Sequence, residues 1–172
     1  MKKLILALFI AFITLPSFAQ DTKKEEKTST TTYYLIRHAE KDRTDKTNRD
    51  PHLTETGIQR AENWAKVLKE VKFDMVYSTN YNRTKETAAP TAKANNLEVI
   101  FYDPRDMKLK EFMISTKGKT VLVVGHSNTT PMFTNGLLDE KKYEDISDDN
   151  NSNLYIVTVT EDSKSSTVLV VD

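Results

Sequence analysis

The sequence of 172 residues has no cysteine and only three histidines, His38, His52 and His126. The absence of cysteine excludes disulfide bonds, thiolate zinc sites, a cysteine nucleophile and a lipidated N-terminal cysteine. Three histidines are too few for a histidine-rich metal site. Any chemistry of the chain therefore has to come from oxygen and nitrogen side chains, among which the imidazoles are the first to consider.

The sequence also lacks an excess of charge of one sign, because 25 Lys and Arg residues balance 25 Asp and Glu residues. A nucleic-acid-binding surface normally needs a clear basic excess, so we expect no nucleic-acid partner, while a small basic pocket is compatible with this balance. Hydrophobic residues make up 38% of the chain, which is enough to form a core, and the length fits one domain.

The N-terminus has the pattern of a secretory signal peptide. A basic start, MKK, is followed by an apolar run over 4–15 and by Pro16-Ser17-Phe18-Ala19, which ends in the small residues that a signal peptidase recognises. A membrane anchor is the alternative, but the run is shorter than the roughly 20 residues that a spanning helix needs. We therefore predict that 1–19 is removed and that the protein is exported, periplasmic or secreted, without a stable membrane anchor.

The segment over 20–31, QDTKKEEKTSTT, contains no apolar residue and predicts a flexible polar tether. We expect the folded domain over 32–172. Aromatic and β-branched runs predict strands over 32–36, 73–78, 97–101, 120–124, 154–159 and 167–171. Apolar residues at helical spacing predict helices over 54–71, 80–96, 109–115 and 131–138.

This alternation predicts an α/β domain with three layers, in which a mostly parallel central sheet carries helices on both faces. The buried face of the first helix is expected to include Ile58, Ala61 and Trp64 or Ala65. Pro90 is expected to kink or locally break the second helix.

Basic side chains follow three of the predicted strands. Arg37 and His38 follow the first strand, Arg83 comes shortly after the second, and His126 follows the buried run over 120–124. Ligands of such sheets bind beyond the carboxyl ends of the strands. Two guanidiniums can hold phosphoryl oxygens by bidentate hydrogen bonds. Of two imidazoles, one can attack phosphorus while the other donates a hydrogen bond to an oxygen. No metal-ligand pattern accompanies them, so fixed positive charge would stabilise the transition state.

Four segments resemble motifs of the histidine phosphatase superfamily, whose members have the phosphoglycerate mutase-like fold. LIRHAE at 35–40 resembles its R-H-G-E signature, and LTETGIQRA at 53–61 resembles L-T-x-x-G-x-x-Q-A. YSTNYNRTKETA at 77–88 resembles S-x-x-x-R-x-x-Q-T-A, and VGHSN at 124–128 resembles the G-H motif. All four occur in the family's order. The chain has the size of short members, which include protein phosphohistidine phosphatases, and it lacks the mutase segment, which favours a phosphatase.

The resemblance implies a role for each matching residue. His38 would be the nucleophile that becomes a phosphohistidine, and Arg37, Arg83 and His126 would bind the phosphoryl group. Ser127 would add to phosphate binding. Supporting roles fall to Glu40 and Ser78. The segment with Thr54 and Gly57 would begin the first helix, and Ala39 stands where the family usually has glycine. No metal or other cofactor is implied.

The acid that protonates the leaving group is not marked by a motif. The family often takes a carboxylate from the region after the third strand, where Asp103 is our first candidate and Asp106 the second. For attack, His38 has to be neutral, whereas His126 is expected to be cationic beside a phosphate dianion. Activity should therefore be highest in the mildly acidic to neutral range.

Each of the other polar clusters has both a structural and a functional interpretation. Basic residues between 41 and 49 could form a rim that attracts phosphorylated substrates, but interleaved aspartates make a solvated loop equally compatible. The acidic stretch DISDDNNSN over 145–153 lacks the spacing of a calcium loop, so we interpret it as a surface loop. His52 lies in a polar loop outside the motifs.

The leading hypothesis is an exported, metal-independent phosphatase that hydrolyses phosphomonoesters or phosphoramidates through a phosphohistidine on His38. Its substrate would be a phosphorylated small molecule or a phosphoprotein. The alternative is a non-catalytic phosphate- or phosphoprotein-binding module on the same fold. A structural domain of the cell surface is the third hypothesis, supported only by the polar tether.

Overall fold

The computed structural model describes residues 29–172, so the predicted signal peptide and residues 20–28 of the predicted tether lie outside the described residues. Six strands are described: β1 (Thr31–Arg37), β2 (Met75–Thr79), β3 (Val99–Tyr102), β4 (Thr120–Gly125), β5 (Asn153–Val159) and β6 (Lys164–Val170). Four helices accompany them: α1 (Glu55–Val67), α2 (Asn82–Ala94), α3 (Leu109–Ser115) and α4 (Thr129–Leu138). None of these helices is long and apolar enough to cross a membrane.

The six strands form one sheet in the order β3-β2-β4-β1-β5-β6. The pairs β3–β2, β2–β4 and β4–β1 are parallel. From β1 to β4, a helix connects each strand to the next along the chain, as parallel strands require. The pairs β1–β5 and β5–β6 are antiparallel. A tight turn closes the last pair, where the Thr160 N–H donates to the carbonyl of Ser163 (2.9 Å). The predicted mostly parallel α/β sheet is confirmed.

Helices cover both faces of the sheet, as the sequence predicted. Along β4 the side chains alternate, so that Val121 and Val123 join the core under α3 and α4, while Leu122 and Val124 join the core under α1 and α2. Trp64 of α1 is almost fully buried in this second core, in agreement with its predicted core position. The central strands are therefore buried on both sides, as parallel strands usually are.

The first helix differs from its prediction in length and in its buried face. It ends at Val67 rather than near position 71, and Leu68 and Phe73 turn into the core beyond it. Ile58, expected on the buried face, is 51% exposed. Ala61 and Trp64 are buried as expected, and Gly57 takes the buried position that was expected for Ile58.

The second helix runs without a break through Pro90, so the predicted local break is not present. Proline removes one backbone hydrogen bond from a helix interior. Ala88 before it, and Thr91 and Ala92 after it, are all buried in the described structure. Packing on both sides of the proline thus holds the helix together despite the missing bond.

Helix α1 begins against the loop that follows β1, at the point where the two backbones are closest. The Thr54 N–H donates to the Glu40 carbonyl (2.8 Å), and the Thr54 hydroxyl caps the helix by accepting from the Gly57 N–H (3.1 Å). A Cβ on Gly57 would lie 2.2 Å from the Glu40 carbonyl oxygen. Glycine is required here because no side chain fits between helix and loop.

We expect Gly57→Ala to lower the free energy of unfolding by roughly 1–3 kcal/mol, since backbone atoms cannot move aside as a side chain can. Urea denaturation followed by circular dichroism measures the change. Gly136→Ala is the matched control, because its new Cβ would meet only the flexible end of Leu109, at 2.7 Å. Equal losses for the two variants would contradict this explanation.

Candidate active site

His38 lies at the carboxyl end of β1, nearly buried, and its tautomer follows from its contacts. Its backbone N–H donates to the carbonyl of Gly125 (2.9 Å), and its ring Nδ1 lies 2.7 Å from the carbonyl oxygen of Ala39. A carbonyl only accepts, so Nδ1 carries the hydrogen and Nε2 keeps its lone pair. Burial and the nearby charges of Arg37 and Arg83 lower the pKa of His38 to about 3. At neutral pH this imidazole is uncharged, and its lone pair on Nε2 is suited to nucleophilic attack.

Side chains from distant parts of the sequence hold the main chain around His38. The buried Asn151 side chain donates to the His38 carbonyl (2.7 Å), and the Ala39 N–H donates to the Thr87 hydroxyl (2.9 Å). Glu40 accepts from Arg60 through one carboxylate oxygen (2.8 Å), so it contacts a helix rather than an imidazole. The predicted supporting residue Glu40 therefore lies in the loop after β1 and bonds to Arg60 of α1 rather than to either imidazole.

His126 faces His38 from the end of β4, with ring centroids 5.5 Å apart and planes at 68°. Its Nε2 lies 2.9 Å from the hydroxyl of Thr79, which itself donates to the Thr84 hydroxyl (2.9 Å). Because the Thr79 proton is used in that second bond, Thr79 accepts from Nε2 of His126. Burial first, and then the charges of Arg83, Lys41 and Arg37, lower the pKa of His126 to about 4.

The neutral form is that of the protein alone, and the expectation that His126 is cationic beside a phosphate dianion stays a prediction. The site already holds several cations, and their repulsion adds to the cost of placing a charge in a buried ring.

The sequence did not indicate a role for Thr79, and its neighbour Ser78 was chosen as the supporting residue. The Ser78 hydroxyl donates to the backbone carbonyl of Thr79 (2.9 Å), so it contacts the main chain rather than an imidazole. Strand alternation indicates that one of the two points inward, but not which.

Arg37 is 2% exposed and is held by the loop at 147–150. Its Nη1 donates to the carbonyls of Ser147 (2.8 Å) and Asn150 (2.9 Å), and its Nη2 donates to Asp148 (2.7 Å). Asp148 also accepts from Arg43 (2.7 Å), so one carboxylate bridges two guanidiniums. Hydrogen bonds from Arg43 and Arg37 lower the pKa of Asp148 to about 2. The acidic stretch, interpreted above as a surface loop, thus contributes directly to the site.

Arg83 enters the site from the first turn of α2. Its Nη1 donates to the Arg49 carbonyl (3.3 Å) and lies 3.6 Å from Asp50, while its Cζ lies 4.5 Å from the ring centroid of Tyr81. Tyr81 in turn packs its ring 5.2 Å from that of His126. Among the described residues, the Nε atoms of Arg37 and Arg83 are buried without a hydrogen-bond partner. Two unpaired guanidinium donors beside the imidazoles match the needs of an oxyanion.

The structure does not bring Asp103 into contact with either imidazole. Its two carboxylate oxygens pair with the guanidinium of Arg105 (3.1 and 2.9 Å). These bonds lower the pKa of Asp103, which is the wrong direction for a proton donor at neutral pH. The acid role of Asp103 stays an untested prediction, and its geometry does not favour it.

The remaining predicted residues have contacts of other kinds. The backbone carbonyl of Ser127 accepts from the Ile146 N–H (2.8 Å), which holds the start of the acidic loop, and Asp106 donates its N–H to the Asp103 carbonyl (3.2 Å). The exposed His52 ring bonds to Glu86 on α2. Within residues 29–172, no three His, Asp or Glu side chains lie close enough together to hold a metal ion.

Comparison with known proteins agrees with this site. Residues 33–113 match the sequence model of the histidine phosphatase superfamily, branch 1, a range that includes Arg37, His38 and Arg83. This range covers just under half of the chain, and together with the fold it supports a histidine phosphatase of this superfamily. No curated protein sequence matches it significantly.

Solved structures share the fold at low sequence identity. The protein histidine phosphatase SixA, solved with tungstate, is 16% identical, with a TM-score of 0.66 over 81% of this chain and 96% of that one. A mycobacterial glucosyl-3-phosphoglycerate phosphatase is 14% identical, with a TM-score of 0.65 over 83% and 98%. A phosphoglycerate mutase from Bacillus anthracis is 16% identical, with a TM-score of 0.64 over 83% and 93%. These similarities establish the fold.

The lowered pKa values predict that both site imidazoles are neutral in the ligand-free protein throughout the neutral range. A lowered pKa preserves the neutral form to lower pH, so protonation should begin only as the pH falls toward about 4. Nitrogen-15 NMR of the imidazoles, assigned with His38→Ala and His126→Ala, measures this directly. A site imidazole that titrates near its ordinary pKa of about 6.5 would contradict the structure.

We expect Thr79→Val to lower kcat roughly fivefold, because it removes the bond that orients His126 and one such bond is worth about 1 kcal/mol. Thr79→Ser should retain most of the activity. Thr91→Val is the matched control, since Thr91 is equally buried and its hydroxyl has no partner among the described residues. The Nε2 signal of His126 in nitrogen-15 spectra should change in Thr79→Val alone. An unchanged signal and an unchanged kcat would exclude a positioning role for Thr79.

Proposed function

We propose that the protein is an exported phosphatase that hydrolyses phosphomonoesters or phosphoramidates, without a metal ion, through a phosphohistidine on His38. The observation that carries this proposal is the neutral, buried imidazole with a free Nε2, placed beside two guanidiniums that each have an unpaired Nε–H. A phosphoryl group is the ligand that would pair with all of these groups at once. Its source would be a phosphorylated small molecule or a phosphoprotein.

The reaction would occur in two steps with the residues described. The Nε2 lone pair of His38 attacks phosphorus, the bond from phosphorus to the leaving oxygen or nitrogen breaks, and the leaving group takes its proton from His126, which is cationic once the phosphoryl group is bound. Positive charge on the phosphorylated ring is stabilised by the Ala39 carbonyl, which accepts from Nδ1. Water then attacks the phosphohistidine, which releases phosphate and restores the neutral imidazole.

Arg37, Arg83 and His126 would stabilise the charge on the phosphoryl oxygens during both steps. A phosphate dianion beside His126 favours its charged form, so this ring would gain its proton when substrate binds rather than before. His126 could then donate a hydrogen bond to a phosphoryl oxygen or to the leaving atom. This assignment needs no carboxylic acid, which agrees with the pairing of Asp103 with Arg105.

Three further observations support parts of the proposal. The solved relatives named above include a protein histidine phosphatase and a sugar-phosphate phosphatase, which makes a phosphorylated substrate the expected one. The absence of the mutase segment from the sequence favours hydrolysis over transfer between two positions of a substrate. The signal-peptide pattern over 1–19 supports export to the periplasm or the medium.

The alternative of a binding module is favoured by one observation. No carboxylic acid is placed against the imidazoles among the described residues, and Asp148 is already bonded to Arg37. A protein that binds phosphate without turnover would need neither a proton donor nor a free Nε2. Trapping of the covalent intermediate separates the two functions.

The purified chain should take up label from phosphorus-32 acetyl phosphate as base-stable, acid-labile phosphate on His38. We expect no label with His38→Ala and a reduction of at least tenfold with His126→Ala. His52→Ala is the matched control, because this exposed histidine lies outside the imidazole pair, and it should label like the parent. EDTA should leave labelling unchanged.

Either of two results would overturn parts of this proposal. Saturable phosphate binding with neither label nor turnover of several ester classes would establish the binding module. Labelling that is lost with EDTA and restored by a metal ion would contradict a metal-independent reaction.

A further inference from the structure

Two depressions lie near the imidazole pair, one lined by His38 itself and the other by Tyr81, whose ring packs against His126. The first has a volume of about 170 Å³ and is lined by His38, Glu40, Lys41, Arg43, Asp148, Asp149 and Asn151. The second has a volume of about 430 Å³ and is lined by Asn80, Tyr81, Phe101, Tyr102, Asp103, Pro104 and Arg105. We call the second depression the aromatic pocket.

The aromatic pocket joins the phosphoryl site through two of its tyrosines. The Tyr81 ring contacts both His126 and the guanidinium of Arg83, as given above. Tyr102 donates a long hydrogen bond to the carbonyl of Val124 (3.4 Å), and its hydroxyl oxygen would lie 3.2 Å from a Cβ on Gly125, the residue before His126. The pocket therefore opens on the side of His126 and Arg83.

The pocket is lined by three aromatic rings and by polar groups whose net charge is zero. Its two charged residues, Asp103 and Arg105, are paired with each other and cancel. Phe101 of β3 leaves 53% of its surface exposed at the pocket, so its ring is accessible to a ligand there. The first depression differs sharply, because Lys41, Arg43, Glu40, Asp148 and Asp149 all contribute charge to it.

We propose that the aromatic pocket is the leaving-group subsite and that it accepts a flat, uncharged aromatic ring. This inference rests on the proposed phosphatase function. Attack by His38 in line with the breaking bond sends the leaving group away from that imidazole, toward the side of His126 and Tyr81. A ring attached to the phosphoryl group would meet Tyr81 and Phe101 there, and aromatic pairs gain stability beyond simple burial. An anionic leaving group would find no unpaired cation in this pocket.

The test compares benzyl phosphate with propyl phosphate, whose leaving alcohols have similar basicity, so that their ratio of kcat/KM reports recognition of the ring. We expect the ratio to favour benzyl phosphate in the parent and to fall about three- to tenfold in Phe101→Ala. Phe101→Tyr should preserve the ratio. Ile100→Ala is the matched control, because Ile100 is also exposed and directly precedes Phe101, but it does not line the pocket.

A second comparison identifies the kind of ring. Phenyl phosphate and N-phosphoimidazole present a phenol and an imidazole as leaving groups. A loss of kcat/KM in Phe101→Ala with either compound supports the subsite, and the compound that loses more identifies the preferred ring. If every ratio is unchanged in a Phe101→Ala protein that still labels on His38, the subsite is wrong and the phosphatase function stands. If the parent neither labels nor turns over any of the four compounds, the proposed function itself fails.

Discussion

Parallel pairing of β1 with β4 is the constraint on which the site depends. Arg37 lies opposite Gly125 in this pairing, so the residues that follow, His38 and His126, leave the sheet side by side. The bond from the His38 N–H to the Gly125 carbonyl continues the same ladder one step beyond the strands. A shift of register by one residue would reverse the face of every side chain in β1. The hydrophobic alternation of the two strands therefore fixes the distance between the imidazoles.

Burial of these imidazoles determines their chemistry. An exposed imidazole is partly protonated near neutral pH and then has no lone pair at Nε2 for attack. Inside this sheet edge, loss of water and the field of the surrounding cations keep both rings neutral. The same burial holds the arginines in fixed positions. The packing that stabilises the fold thus also prepares a nucleophile and an anion site.

Much of the fold could be predicted from the sequence, because its strands are marked by local runs of apolar residues. The site residues that follow those strands, Arg37, His38 and His126, are found at the sheet edge for the same reason. Helix α1 was less predictable, since Ile58 fits the helical spacing but packing rotates it outward. The helix at Pro90 persists through tertiary packing, which no local rule contains.

The contributions of Thr79, Asp148 and Asn151 could not be predicted. Asp148 and Asn151 lie in a polar stretch whose composition indicates only a loop, and they reach the site through contacts with residues more than a hundred positions away. The neutral form of His126 in the protein alone was not foreseen, because it depends on burial and on the charges of Arg83, Lys41 and Arg37 acting together. Such sums of charge exist only in the folded chain.

The carboxylate of Asp148 gives the empty site its own counterion. It bridges Arg37 and Arg43 while remaining 71% exposed on its side chain, so solvent reaches the anion although Arg37 itself is enclosed. An arriving phosphoryl group would therefore meet an Arg37 whose charge is already partly offset, and would pair with the Nε–H that Asp148 leaves unused. The gain in electrostatic free energy would be smaller than at an arginine without a counterion, which favours release of product phosphate.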